Sequence, residues 1–256
     1  MGLILVFDMD QTILDSSDPS LHDDTISREQ ISNSIVESLN KNIVRLLIRA
    51  SALRLTGEVS AIFLLTNNSS IPFISLVDDI LRDITGSTGI YKKILDPDDS
   101  GMPEKSYFFD YIMIRQHPRR PQVYDPPKTL YDILIMMENI GIYDENKNKD
   151  ILKDIYFFDD IGTHQIKKEL AILEGGIYKD HYIQITPPYS KNKEDLTDYS
   201  PILKVLPDTA TPFPKKRPTR YNLNSLNINR TPTLIGGRSS TRRNTKKNKK
   251  KPRKRI

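Results

Sequence analysis

Apolar residues in this chain come in two rhythms that alternate from the N-terminus to about residue 185. Short, predominantly apolar runs at residues 3–7, 61–65, 107–114, 155–158 and 182–185 have the length and the aliphatic and aromatic content of buried strands. Between them, apolar positions fall three or four apart, the spacing of one helix face. Ile35, Leu39, Ile43, Leu46, Ala50 and Leu53 mark a single helix from residue 31 to 53. Residues 71–84, 130–140 and 166–173 predict three more, with Pro72 in a first turn where a missing N–H is harmless and Gly141 and Gly175–Gly176 as stops. Strand and helix in alternation predict βαβ crossovers, hence an α/β fold with a doubly wound, mostly parallel sheet.

Both rhythms end at Pro187–Pro188, after which prolines recur at 201, 207, 212, 214, 218 and 232. The chain therefore divides into a domain over residues 1–188, a linker or strap over 189–212 and a tail over 213–256. Charge sharpens that division. Of 38 Lys and Arg against 33 Asp and Glu, 16 cations and no acids fall in residues 213–256, so residues 1–212 carry a net −11 beneath an overall +5. The tail is too poor in apolar residues to offset the entropy of ordering, which predicts disorder in isolation. No run approaches the ~20 apolar residues that span a bilayer, and the first strand follows Met1–Gly2 directly, which predicts a chain without membrane or signal segment, intracellular in the nucleus or cytoplasm. Zero cysteines exclude a thiol nucleophile, a thiolate zinc site and any disulfide.

The candidate chemistry sits where strands end. The first run stops in Asp8-Met9-Asp10-Gln11-Thr12, the second in Thr66-Asn67-Asn68-Ser69-Ser70, and the fourth in Asp159-Asp160. In a parallel sheet these tips share one edge, where open α/β folds bind their ligands. Acids gathered there repel one another unless a hard divalent cation is bound, and oxygen-only ligands with no histidine or thiolate nearby suit Mg²⁺ better than zinc. Hydroxyl and backbone N–H groups from Thr66 and Asn67, near a helix N-terminus, could cradle an anion. Lys128, at the start of the 130–140 helix, could set an ammonium against the acids. His22, His117, His164 and His181 show no metal-ligand spacing; His164, four residues after Asp160, could line the site or cap the helix that follows it, and the cap is the favoured reading.

Together these pieces resemble the haloacid dehalogenase superfamily of phosphohydrolases over about residues 3–185. Its first motif is similar to Asp8-Met9-Asp10-Gln11-Thr12, its second to a strand ending in Thr66, its third to Lys128, with Lys105 a poorer competitor, and its fourth to Phe157-Phe158-Asp159-Asp160. Gln11 departs from the pattern, since many members carry Gly there. The resemblance implies catalytic Asp8 and Asp10, the first as nucleophile forming an aspartyl-phosphate and the second as general acid and base. It implies phosphate binding by Thr66, Asn67 and Lys128, and Mg²⁺ held by Asp8, Asp10 through its backbone carbonyl, Asp159 and Asp160. Only 48 residues separate Thr12 from Ala61 and 61 separate Thr66 from Lys128, which is cramped for an inserted cap. In this family a site with little or no cap resembles members acting on phosphoproteins or nucleic-acid ends.

The basic tail adds a partner expectation: nonspecific attraction to phosphate backbones, or a nuclear localisation signal. Tyr221 is its one aromatic after Phe213, so base stacking by the tail is not supported. The rival reading is a nucleic-acid-binding or virion-type structural protein whose domain is an idle scaffold.

Overall fold

Five parallel strands lie in the order β3–β2–β1–β4–β5: β1 (Leu3–Phe7), β2 (Val59–Leu65), β3 (Tyr111–Met113), β4 (Ile155–Asp159) and β5 (Tyr182–Gln184). They come from a computed structural model that describes residues 2–21, 25, 27–87, 107–143 and 151–206. β1 is central, and its period-two alternation divides the core into two layers. Leu5 and Phe7 join the layer built by helices α1 (Arg28–Ser38), α2 (Lys41–Arg54) and α3 (Ile71–Thr85). Ile4 and Val6 join the opposite layer, built by α4 (Leu130–Asn139) and α5 (Gln165–Ile172). The first two crossovers thus cover one face and the last two the other, which is the doubly wound arrangement. Strand order reverses between β1 and β4, and that switch point opens a crevice beyond the strand C-termini.

Two elements differ from the sequence expectation. The single helix predicted over 31–53 is two, because the first closes on Leu39 and Asn40 caps the next: its Oδ1 accepts from the backbone N–H of Asn42 (3.0 Å) and Ile43 (3.3 Å), satisfying orphan donors of α2. Ile35, Leu39 and Ile43 all stay in the same core layer, so the apolar spacing ran across the break undisturbed.

The run at 107–114 pairs as a strand only over Tyr111–Met113. Ahead of it, carboxylates replace the ladder. Asp78 of α3 accepts from the backbone N–H of Phe108 (3.0 Å) and Phe109 (3.1 Å), and Asp110 accepts from Ile62 N–H at 2.7 Å while bound to Arg54 at 3.1 Å. Buried backbone donors are satisfied by side chains there, which leaves the segment irregular.

Beyond β5, residues 189–206 lie against the α1–α2 layer and include α6 (Ser200–Val205). Tyr189, Tyr199, Ile202 and Leu206 are buried in that layer, the Tyr189 hydroxyl donates to Leu39 O (2.9 Å), and the Tyr199 hydroxyl donates to Asp195 (2.8 Å). Residues 207–256, which hold the end of the expected strap and the whole basic tail, lie outside the described residues. No helix among the described residues is long and apolar enough to cross a membrane.

Candidate active site

The backbone amide of Asp8 still belongs to the sheet, donating to Phe158 O at 2.9 Å, so its side chain is the first to leave the tip of β1. Asp159 ends β4 beside it and Asp160 follows. One carboxylate oxygen from each of Asp8, Asp159 and Asp160 lies within 4.8 Å of the others, at the switch point between β1 and β4. Lys128 closes the cluster from the loop before α4. Its buried Nζ donates to Asp8 Oδ1 at 2.8 Å and Asp159 Oδ2 at 2.9 Å.

One ammonium is shared among too many acids. Burial pushes the Asp8 carboxyl up to about 6 even though Lys128 pulls the other way. Burial, reinforced by Asp8 and Asp159, raises Asp160 to about 7. Asp159 is raised by burial against the pull of Lys128. Burial opposes the charge on Lys128 as well, but Asp8 and Asp159 outweigh it and hold its pKa above the usual lysine value. The site is thus short of positive charge, the condition that a divalent cation relieves.

The donor set fits such an ion. Three carboxylates converge, and His164 Nε2, buried and without a hydrogen-bond partner, stands 3.6 Å from Asp159 Oδ2. His164 does occupy the N-cap position of α5, but its side chain makes no capping hydrogen bond. The ring faces the acids instead, so a histidine stands beside the oxygen ligands where the sequence led us to expect none. Burial and the neighbouring Lys128 hold its pKa down near 4, so the imidazole is neutral at pH 7.

No family model, curated protein or solved structure matches this chain. What the site can do therefore rests on its own geometry.

Asp10 stands apart from the carboxylate triad. Its side chain is held by Ser16 and Asn68, and burial together with the Asp8 charge raises its pKa, which favours a proton on it. Gln11, next in sequence, adopts a left-handed backbone at φ 52°, the conformation glycine takes without strain. Its carbonyl accepts from Tyr189 N–H at 2.7 Å and its side chain donates to Ser16 Oγ at 3.0 Å, so the strap helps hold the turn.

Thr66 is buried at the tip of β2, and its Oγ1 accepts from Asn68 N–H at 3.0 Å, which leaves the hydroxyl proton free to donate. Asn67 is turned elsewhere. Its Nδ2 donates to Asp125 Oδ1 (2.5 Å) and Pro126 O (3.1 Å), committing its amide protons to the loop that carries Lys128. The Asn67 side chain thus acts as a clamp on that loop, and the expected cradle falls to the Thr66 hydroxyl and backbone N–H groups.

Arg120 and Asp125 escaped the sequence reading. Buried Arg120 donates to Thr66 O (3.2 Å), Ile114 O (3.3 Å) and Pro126 O (3.3 Å), tying three segments around the site together. Nothing local distinguishes it from a solvated arginine; the one signal was its place in a loop dense in proline. Lys105 and the stretch relevant to an inserted cap, residues 88–106, lie outside the described residues.

Proposed function

We propose that this protein is a Mg²⁺-dependent phosphomonoesterase that works through an aspartyl-phosphate on Asp8. The observation that carries the reading is the convergence of Asp8, Asp159 and Asp160 within 4.8 Å, with Lys128 bridging two of them. Mg²⁺ would be held by these carboxylates and the Asp10 carbonyl. When bound, it supplies the positive charge that lets a carboxylate approach a phosphate.

The chain's own groups supply the rest. Asp8 attacks phosphorus in line; the Asp8 O–P bond forms as the bond from phosphorus to the leaving oxygen breaks, and Asp10 gives that oxygen its proton. Its raised pKa suits Asp10 to carry the proton in. As a carboxylate, Asp10 then takes a proton from water, whose oxygen attacks phosphorus and breaks the Asp8 O–P bond, releasing inorganic phosphate. Thr66 and Lys128 donate to phosphoryl oxygens in both steps.

The substrate is a phosphorylated macromolecule, with residues 213–256 as an electrostatic tether to nucleic acid or as a nuclear address. A panel of phosphopeptides, phosphorylated oligonucleotides and a chromogenic ester, with Mg²⁺ and with EDTA, tests the reading. It expects Mg²⁺-dependent phosphate release that Asp8→Asn abolishes; no release from any substrate, or an Asp8→Asn variant as active as the parent, sinks it. Deleting residues 213–256 separates it from the scaffold rival, which expects only binding, lost with the tail, where the enzyme reading expects hydrolysis of the small ester to persist.

A further inference from the structure

Residues 115–128 run from the tip of β3 to Lys128 and carry four cations, Arg115, Arg119, Arg120 and Lys128, against the single acid Asp125. This is a basic stretch on a domain whose net charge is negative. Pro118, Pro121, Pro126 and Pro127 restrict its backbone, so little entropy remains to be lost when something binds it. Its C-terminal part is pinned beside the candidate site, by Asn67 to Asp125 and by Lys128 to Asp8.

The tip of the loop presents an aromatic ring to solvent. Tyr124 is 88 % exposed, and Val123 beside it 55 %. The Arg115 guanidinium lies over the Tyr124 ring, 5.3 Å from its centroid, and donates to Tyr124 O (3.1 Å) and Ser69 Oγ (3.4 Å). No carboxylate among the described residues pairs with Arg115. Arg119, by contrast, is held by Glu138 at 2.8 Å, which takes it out of contention for a ligand. An exposed ring backed by a guanidinium whose charge no described carboxylate offsets, within a few residues of the groups that would bind phosphate, combines a stacking platform with a backbone-phosphate contact.

We infer that Tyr124 and Arg115 form a landing for a single-stranded nucleic-acid end, stacking a base near the terminal phosphate while that phosphate reaches the Asp8 site. The inference deepens the phosphatase reading and rests on it for the terminal phosphate, though the landing itself does not need turnover. It favours a nucleic acid over a phosphopeptide on charge: 16 cations without an acid in residues 213–256 would hold a polyanion, while only Phe213 and Tyr221 there are aromatic and Tyr124 supplies a ring beside the site.

The test uses the full chain and an eight-nucleotide single strand, phosphorylated at either end, with 5-iodouracil next to the phosphorylated nucleotide. Irradiation with the Asp8→Asn variant, which blocks turnover, should give a peptide cross-linked at Tyr124, and a cross-link confined to residues 213–256 overturns the inference. In the active chain, Tyr124→Ala should lower kcat/KM for the oligonucleotide about tenfold relative to p-nitrophenyl phosphate measured on the same variant, mostly through KM. Arg115→Ala should lower it severalfold and flatten its salt dependence. An unchanged ratio overturns the inference while leaving the phosphatase reading intact, as does a fall seen with a phosphopeptide instead. If no substrate is hydrolysed, the phosphatase reading fails and the cross-link alone decides whether the landing exists.

Discussion

At the scale of single residues, Lys128 carries more than any other side chain described. It is buried between Asp8 and Asp159, and removing it leaves two acids facing each other without an internal cation. Lys128→Met should therefore destabilise the protein by roughly 3 kcal/mol at pH 8, read by urea unfolding. The cost should shrink near pH 5. Burial places the folded pKa of Asp8 near 6, above its unfolded value of 3.8, so its ionisation penalty is absent below about pH 4 and complete only above about 6. The same sign governs Asp160, raised to about 7. Mg²⁺ should thus raise the Tm of the parent protein more at pH 8 than at pH 5, with EDTA reversing the gain; equal shifts at both values would argue against an ion among these carboxylates.

At the scale of elements, two side chains act as joints where the apolar pattern ran on without a mark. Asn40 separates α1 from α2, and Asn40→Ala should cost about 1 kcal/mol through loss of the cap. Asp78 anchors the approach to β3 by accepting from Phe108 N–H and Phe109 N–H, and Asp78→Ala should cost more, roughly 3 kcal/mol, because two buried donors lose their partner. Chemical denaturation of both variants checks the order. An Asn40 variant less stable than the Asp78 variant would show that the cap, not the buried acceptor, governs this layer.

Across the whole molecule, the segment after β5 is tied to the turn after β1. Asp15 accepts from Ser190 Oγ and Lys191 N–H, both at 3.0 Å, and Lys191 pairs with Asp18. Burial opposes ionisation of Asp18, but hydrogen bonds from Lys191, Ser38 and Ser20 overcome it and hold its pKa at about 2. A folded value below the unfolded one means the stabilisation is present above about pH 4 and is lost as pH falls toward 2. Asp18→Asn should remove about 1–2 kcal/mol at pH 7 and little at pH 2, a pH dependence that acid titration of the two proteins reads directly.

The alternation of predominantly apolar runs and 3.6-period apolar stretches determined the α/β class and which runs become strands, because burial on both faces or on one leaves a period in the chain itself. It also determined that Asp8, Thr66 and Asp159 leave the ends of strands. Strand order is absent from any local period. That β1 and β4 are neighbours, so that Asp8, Asp159 and Asp160 meet and Lys128 reaches two of them, was decided by packing in three dimensions. So were the turn of Asn67 toward Asp125, the facing of His164 onto Asp159 and the burial of Arg120 under Thr66. A side chain's partner depends on segments tens of residues away, and polar residues follow no period that would reveal it.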